Sequence, residues 1–176
     1  MEKKSGYFSP PFTFAFVISV IMIFSTLLGS SFIGFHAPSD VANQIANEVQ
    51  DAAATTNWMD IFVNNFGLTL VTFVPFFGFF FAIYVQFGTG YAFGALAQVY
   101  GVSNIDAVLV TLITPVGLLE YTSYLFALTE SIILAYSIRR REFKKRLVNH
   151  TWKTIILVAL LLFTGAIVEA ALIGRL

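Results

Sequence analysis

The chain has 176 residues, of which 57% are apolar, 16% aromatic and only 11% charged, with a mean hydropathy of +0.80. That balance excludes an ordinary soluble domain and defines a polytopic integral membrane protein. Net charge is zero, which gives no reason to expect a nucleic-acid partner, and zero cysteines exclude disulfides, thiolate metal sites and cysteine nucleophiles.

The first predicted span runs from Phe12 to Phe35, long enough at about 1.5 Å per residue to cross a hydrocarbon core of roughly 30 Å. Lys3 and Lys4 ahead of it read as the cytoplasmic flank of an uncleaved anchor. Residues 39–57 predict an amphipathic helix started by Pro38, Ser39 and Asp40, with Val41, Ile45 and Val49 on one face. It has no Lys or Arg, so its apolar face is expected to meet protein outside the cell rather than lipid headgroups.

A second span is expected over 58–84, interrupted near Pro75 and Gly78, and a short third span over 87–100. Gly88, Gly90 and Gly94 in the latter allow close helix approach, either inside the fold or at a dimer contact. From Ile105 to Ile138 the chain is too long for one crossing helix and must break at Pro115. Thr114 suits a cap and Pro115 a first helical position, giving a re-entrant half-helix over 105–113 and a fourth span over 116–138. Arg139, Arg140, Arg141, Lys144, Lys145 and Arg146 make 139–150 a basic cytoplasmic loop, and 152–173 forms a fifth span. The expected architecture is thus all-α, one membrane domain with five crossings, 38–57 extracellular, and N-terminus and basic loop cytoplasmic.

Polar residues inside spans are costly and mark sites that must be partnered. Asn64, Asn65, Glu120, Tyr124 and Glu130 are expected to form a polar core, or a ligand or proton site, in which Glu120 holds the broken helix against Asn64 or Asn65. Glu130, flanked by Thr129 and Ser131, is expected as a neutral acid near mid-membrane, and Glu169 as a separate carboxylate reaching interfacial water or Arg175. His36 and His150 fall at opposite ends. No metal motif, phosphate-binding loop or nucleophile elbow is present, so neither metal, cofactor nor catalytic residue is expected.

Three motifs occur in order: Ile61-Phe62-Val63-Asn64-Asn65, then Phe87-Gly88-x-Gly90-Tyr91-x-Phe93-Gly94, then Pro115-x-Gly117-Leu118-Leu119-Glu120. Together they resemble the stage II sporulation protein M family, small polytopic membrane proteins of bacteria and archaea. The resemblance implies a membrane anchor that assembles envelope proteins, as the sporulating member does with secreted cell-wall hydrolases. It maps the family's Asn and Glu positions to Asn64, Asn65 and Glu120. The family commonly carries a histidine where this chain has Val116, so no role resting on that histidine transfers.

The expected function is a non-enzymatic scaffold or assembly subunit in the cell envelope, a homodimer whose partners are the bilayer and other envelope or membrane proteins. The alternative is a small-molecule or ion transporter or channel component using Glu120 and Glu130.

Overall fold

The computed structural model describes residues 10–174, and the secondary structure it shows among them is helical. Lys3, Lys4 and Arg175, on which the N-terminal orientation and a partner for Glu169 were expected to rest, lie outside the described residues.

Helix α1 spans Pro10–Phe35 and ends where Pro38 prevents continuation. α2, Ser39–Thr55, carries Asp40 in its first turn, where a carboxylate complements the helix dipole. α3, Trp58–Thr72, begins with a reciprocal cap: Asn57 Oδ1 accepts from the amides of Met59 and Asp60, and the Asp60 carboxylate accepts from the Asn57 amide at 3.2 Å. α4 is continuous from Phe77 to Tyr100 and stops at Gly101, whose φ of 67° is left-handed.

Two span boundaries therefore need correction. The interruption expected near Pro75 within 58–84 is present but divides that segment between two helices, with the break between Thr72 and Phe77, where Pro75 has no amide to donate and Phe76 turns the backbone with φ 65°. The segment 87–100 is the second half of a full-length helix, since no residue around Tyr84–Phe87 interrupts the hydrogen-bond ladder.

α5 covers Asn104–Ile113 and α6 Pro115–Arg139. Between them Thr114 Oγ1 accepts from the Gly117 amide at 3.0 Å, with Pro115 at the first helical position. The basic loop is largely helical: α7, Phe143–Arg146, passes through a wide π-turn at Leu147–Thr151 into α8, Trp152–Leu172. Four segments are long and apolar enough to cross a membrane: Phe12–Phe35, Phe77–Tyr100, Pro115–Arg139 and Phe143–Leu172. α3, with 15 residues, reaches roughly 22 Å at about 1.5 Å per residue, short of a full core.

Contacts fix the directions. Along α1 and α4 residue numbers rise together: Ile23 packs with Ala82, Gly90 meets Leu27 and Ser30, Gly94 meets Ser31 and Phe35, and Gln98 Nε2 donates to the Ala37 carbonyl at 3.1 Å. These helices are parallel. α6 runs opposite to α1, pairing Ile133 with Phe12 and Ala15, and Thr129 with Ser19. α8 opposes α6, and α3 opposes α8, with Ile61 against Ala166 and Ala170 and Phe73 against Val158 and Leu162. Thus α1, α4 and α8 point one way and α3 and α6 the other. α2 and α5 form the connections at the end where α1 and α4 finish. Aromatic and aliphatic side chains such as Phe14, Phe80 and Leu160 remain exposed on the outside, as expected of a surface solvated by lipid.

The tightest seam is between α1 and α4. A Cβ at Gly34 would collide with the Tyr91 backbone, and one at Gly94 with the Ser31 backbone. Gly90 and Gly94 are therefore spent on packing within the chain, which removes them as a dimer contact; Gly88 faces open space.

Candidate functional site

Two separate polar centres lie on α6, at Glu120 and at Glu130. Ten residues of helix place them about 15 Å apart. The single polar core expected from the sequence is therefore split, since each carboxylate has found its own partners.

At the first centre α3, α6 and α8 meet. Asn65 Nδ2 donates to Glu120 Oε1 at 2.6 Å, joining α3 to α6 across 55 residues of sequence. Asn64 is exposed and donates to Asn65 Oδ1 at 3.3 Å, so it supports Asn65 rather than reaching Glu120. Tyr124 lies one turn along α6 on the same helix face as Glu120. From α8, Gly165 lies against Glu120: a Cβ there would sit 3.8 Å from Glu120 Cγ. Glu169 lies one turn beyond Gly165 on the same face of α8. Gly165 is the residue that sequence reasoning did not place at this centre.

Below Tyr124, away from Glu120, lies a cavity with about 30 Å³ of room, lined by Ile23, Leu68, Thr69, Thr72, Ala82, Val85, Gln86 and Tyr124. Gln86 is 4% exposed and its Oε1 has no hydrogen-bond partner. The hydroxyls of Thr69 and Thr72 donate back to the carbonyls of Asn65 and Leu68, leaving their lone pairs available.

At the second centre Glu130, 1% exposed, accepts from Arg146 Nε at 2.9 Å and Nη2 at 2.5 Å, and from Thr151 Oγ1 at 2.7 Å. The expected neutral acid is instead one half of a bidentate ion pair, because the π-turn swings Arg146 and Thr151 back over α6. Beside it Ser131 Oγ donates to the Val74 carbonyl at 3.2 Å, adding to the bond that carbonyl accepts from the Gly78 amide in the α3–α4 connection. This centre fastens the basic loop to the bundle and leaves little of Glu130 free for a ligand.

The amphipathic helix is also partly used at home. α2 packs on α4 through Ala42 and Ala46, which are buried; Val41 and Ile45 flank that seam half-buried, and Val49 is exposed. The inward stripe lies one residue beyond the expected one, at the small side chains of Ala42 and Ala46. His36 Nδ1 contacts the Phe32 carbonyl at 2.8 Å, and His150 lies beside Arg146 and Glu130 at the other end of the bundle. Among the described residues no group of three His, Asp or Glu side chains is placed to hold a metal ion.

An all-helical bundle with four membrane-length apolar helices, closed by internal polar clasps, defines an integral membrane protein of the small polytopic class. The family model for stage II sporulation protein M matches residues 12–172, nearly the whole chain, and the chain belongs to that family. No curated protein and no solved structure gives a significant match.

Proposed function

We propose that the protein is a non-enzymatic membrane scaffold, an assembly subunit that holds other envelope proteins at the membrane. The observation that carries this reading is that Glu120 and Glu130 and the glycines at 90 and 94 are engaged in internal contacts, while α2 keeps a polar outer surface. Asn47, Glu48, Gln50 and Asp51 are exposed on that surface together with Val49. The cavity beside Tyr124 has room for about one water, which supports a scaffold over solute passage through Glu120 and Glu130.

The proposed topology has five passes, with α3 as a short one completed by the turn at residues 73–76. The basic segment 139–146 faces the cytoplasm under the positive-inside rule. α2 and α5 then lie outside, with α5 a separate surface or re-entrant piece. For a homodimer the exposed stripe Phe80, Tyr84 and Gly88 on α4 is the available face, since Gly90 and Gly94 are covered.

The test is isolation of the tagged full-length chain from native membranes in nanodiscs, with mass spectrometry of what remains bound. Specific envelope proteins should be retained by the wild type and lost from a Glu48→Lys, Val49→Ser, Asp51→Lys variant of unchanged thermal stability. Unchanged retention by that variant, with proton or ion flux that depends on Glu120, would replace the scaffold with a transporter.

A further inference from the structure

Charge is sorted by end among the described residues. The Lys and Arg all fall between Arg139 and Lys153, where α6, α7 and α8 come together, while Asp40, Glu48, Asp51, Asp60 and Asp106 are exposed at the opposite end. At the basic end Arg139, Arg140, Arg141, Lys144, Lys145 and Lys153 are exposed, and the segment's single carboxylate is Glu142. Glu130 does not neutralise this patch, because Arg146 already occupies it.

Helix length sets the depth of the patch. α8 has 21 residues and at about 1.5 Å per residue fills a hydrocarbon core of roughly 30 Å by itself. α7 and the π-turn extend the same rod to 30 residues, about 45 Å, so residues 143–151 stand in the headgroup layer. Exposed Leu147 and Val148 fit that depth, as do exposed Tyr136 and Trp152, aromatic side chains of the kind that collect at the interface. Each of these two rings carries a cation, Arg140 at 5.0 Å and Lys153 at 5.6 Å. An acidic protein in solution would account for the charge but not for apolar side chains exposed among it.

The backbone gives a second indication. α6 closes with the Glu142 amide donating to the Ser137 carbonyl at 2.9 Å and the Arg141 amide to the Ile138 carbonyl at 3.0 Å, a closure that puts Arg141 at φ 60°. Glycine suits this left-handed position best, so an arginine there gives up stability while adding a charge to the patch.

We propose that the turn from Arg139 to Lys153 binds the phosphates of anionic lipid headgroups in the leaflet where α6 ends. The guanidinium groups of Arg139, Arg140 and Arg141 can each take a phosphate through two parallel N–H donors, and Lys144 and Lys153 add point charges. The Arg146–Glu130 clasp fixes α7 against α6 and so holds the two halves of the patch side by side. An anionic leaflet binds about fivefold more tightly for each basic side chain held at its surface, an attraction that salt screens. The site rests on the membrane placement of the bundle and not on the scaffold reading.

The chain has two tryptophans, and they stand at opposite ends: Trp152 in the patch and Trp58 at the start of α3. Trp58→Phe therefore leaves a reporter in the patch, and Trp152→Phe leaves one at the acidic end. Each full-length variant is reconstituted in phosphatidylcholine bilayers containing brominated phosphatidylglycerol or brominated phosphatidylcholine, and fluorescence quenching is measured. At Trp152 phosphatidylglycerol should associate about fivefold more strongly than phosphatidylcholine, and about 1 M salt should remove the preference. At Trp58 the two lipids should quench alike. Adding Arg141→Gly should weaken the preference at Trp152 while the melting temperature stays level or rises, which a purely structural turn would not show. Arg139→Gln with Lys144→Gln should weaken it further. Equal quenching by the two lipids at Trp152 would overturn the proposal, and a shift of Trp152 emission by polyglutamate in its place would assign the patch to an acidic protein. A preference unchanged in the charge-reduced variants, or equally strong at Trp58, would overturn it as well. So would loss of the preference to inorganic phosphate at an ionic strength where chloride leaves it intact, marking a site for the free anion.

Discussion

Arg146 reaches back sixteen residues to grip Glu130 through two parallel hydrogen bonds, and the carboxylate it neutralises is 1% exposed. A buried pair of this kind contributes little net stability relative to apolar packing, but breaking it from one side strands a charge. Arg146 itself is 14% exposed and can turn toward water when its partner is removed; Glu130 cannot. We predict that Arg146→Leu costs about 3–5 kcal/mol and Glu130→Gln clearly less. Adding Glu130→Gln to Arg146→Leu should then restore part of the loss. Equilibrium unfolding in detergent measures all three; equal losses for the two single variants would contradict this asymmetry.

The α1–α4 seam predicts a graded response of glycines to alanine. At Gly94 a methyl group meets backbone that cannot yield, so Gly94→Ala should destabilise by about 1–3 kcal/mol. Gly88 has nothing near it, and at Gly165 the nearest atoms are 3.7 and 3.8 Å away, an ordinary contact. Both should accept alanine within about 0.5 kcal/mol. Thermal melting of the three variants side by side gives the order, and a Gly88→Ala loss as large as that of Gly94→Ala would show that a second chain covers α4.

The bond from Asn65 to Glu120 is interhelical and made to a carboxyl group. A double-mutant cycle of Asn65→Leu and Glu120→Leu should give a coupling of about 1–2 kcal/mol. The same cycle with Asn64 in place of Asn65 should give close to zero, because the Asn64 amide donates to Asn65 and not to Glu120.

At the start of α3 the reciprocal cap of Asn57 and Asp60 satisfies amides that an exposed helix end would otherwise leave to water. Asn57→Ala is expected to cost about 1 kcal/mol. Faster amide hydrogen exchange at Met59 and Asp60, with none at α6, is the accompanying signature.

Zero cysteines make the proposed topology directly measurable. A membrane-impermeant thiol reagent should label Glu48→Cys on intact cells and Lys144→Cys only after permeabilisation; both positions are exposed. Labelling of both from one side would leave an even number of passes between them and remove the short α3 pass.

Composition, the Phe12–Phe35 run, the break at Pro115 with its Thr114 cap, and three ordered motifs determined the helical class, the family and the position of α6 from sequence alone. Each depends on local chemistry: hydropathy over a window, a missing amide, a hydroxyl three residues from an orphan N–H. The Asn65–Glu120 bond was legible for a related reason, since two polar residues in apolar helices have few partners but one another. Tertiary structure decided the rest. Whether Pro75 kinks a helix or ends it depended on Phe76 adopting a positive φ, with the Val74 carbonyl held by the Gly78 amide and by Ser131 from another helix. Which glycines pack and which face open space followed from α1 and α4 running parallel. The fate of two similar-looking carboxylates was likewise set by neighbours distant in sequence: Arg146 for Glu130 and Asn65 for Glu120. A side chain's position in a span shows that it needs a partner, and only the packing of the helices supplies one.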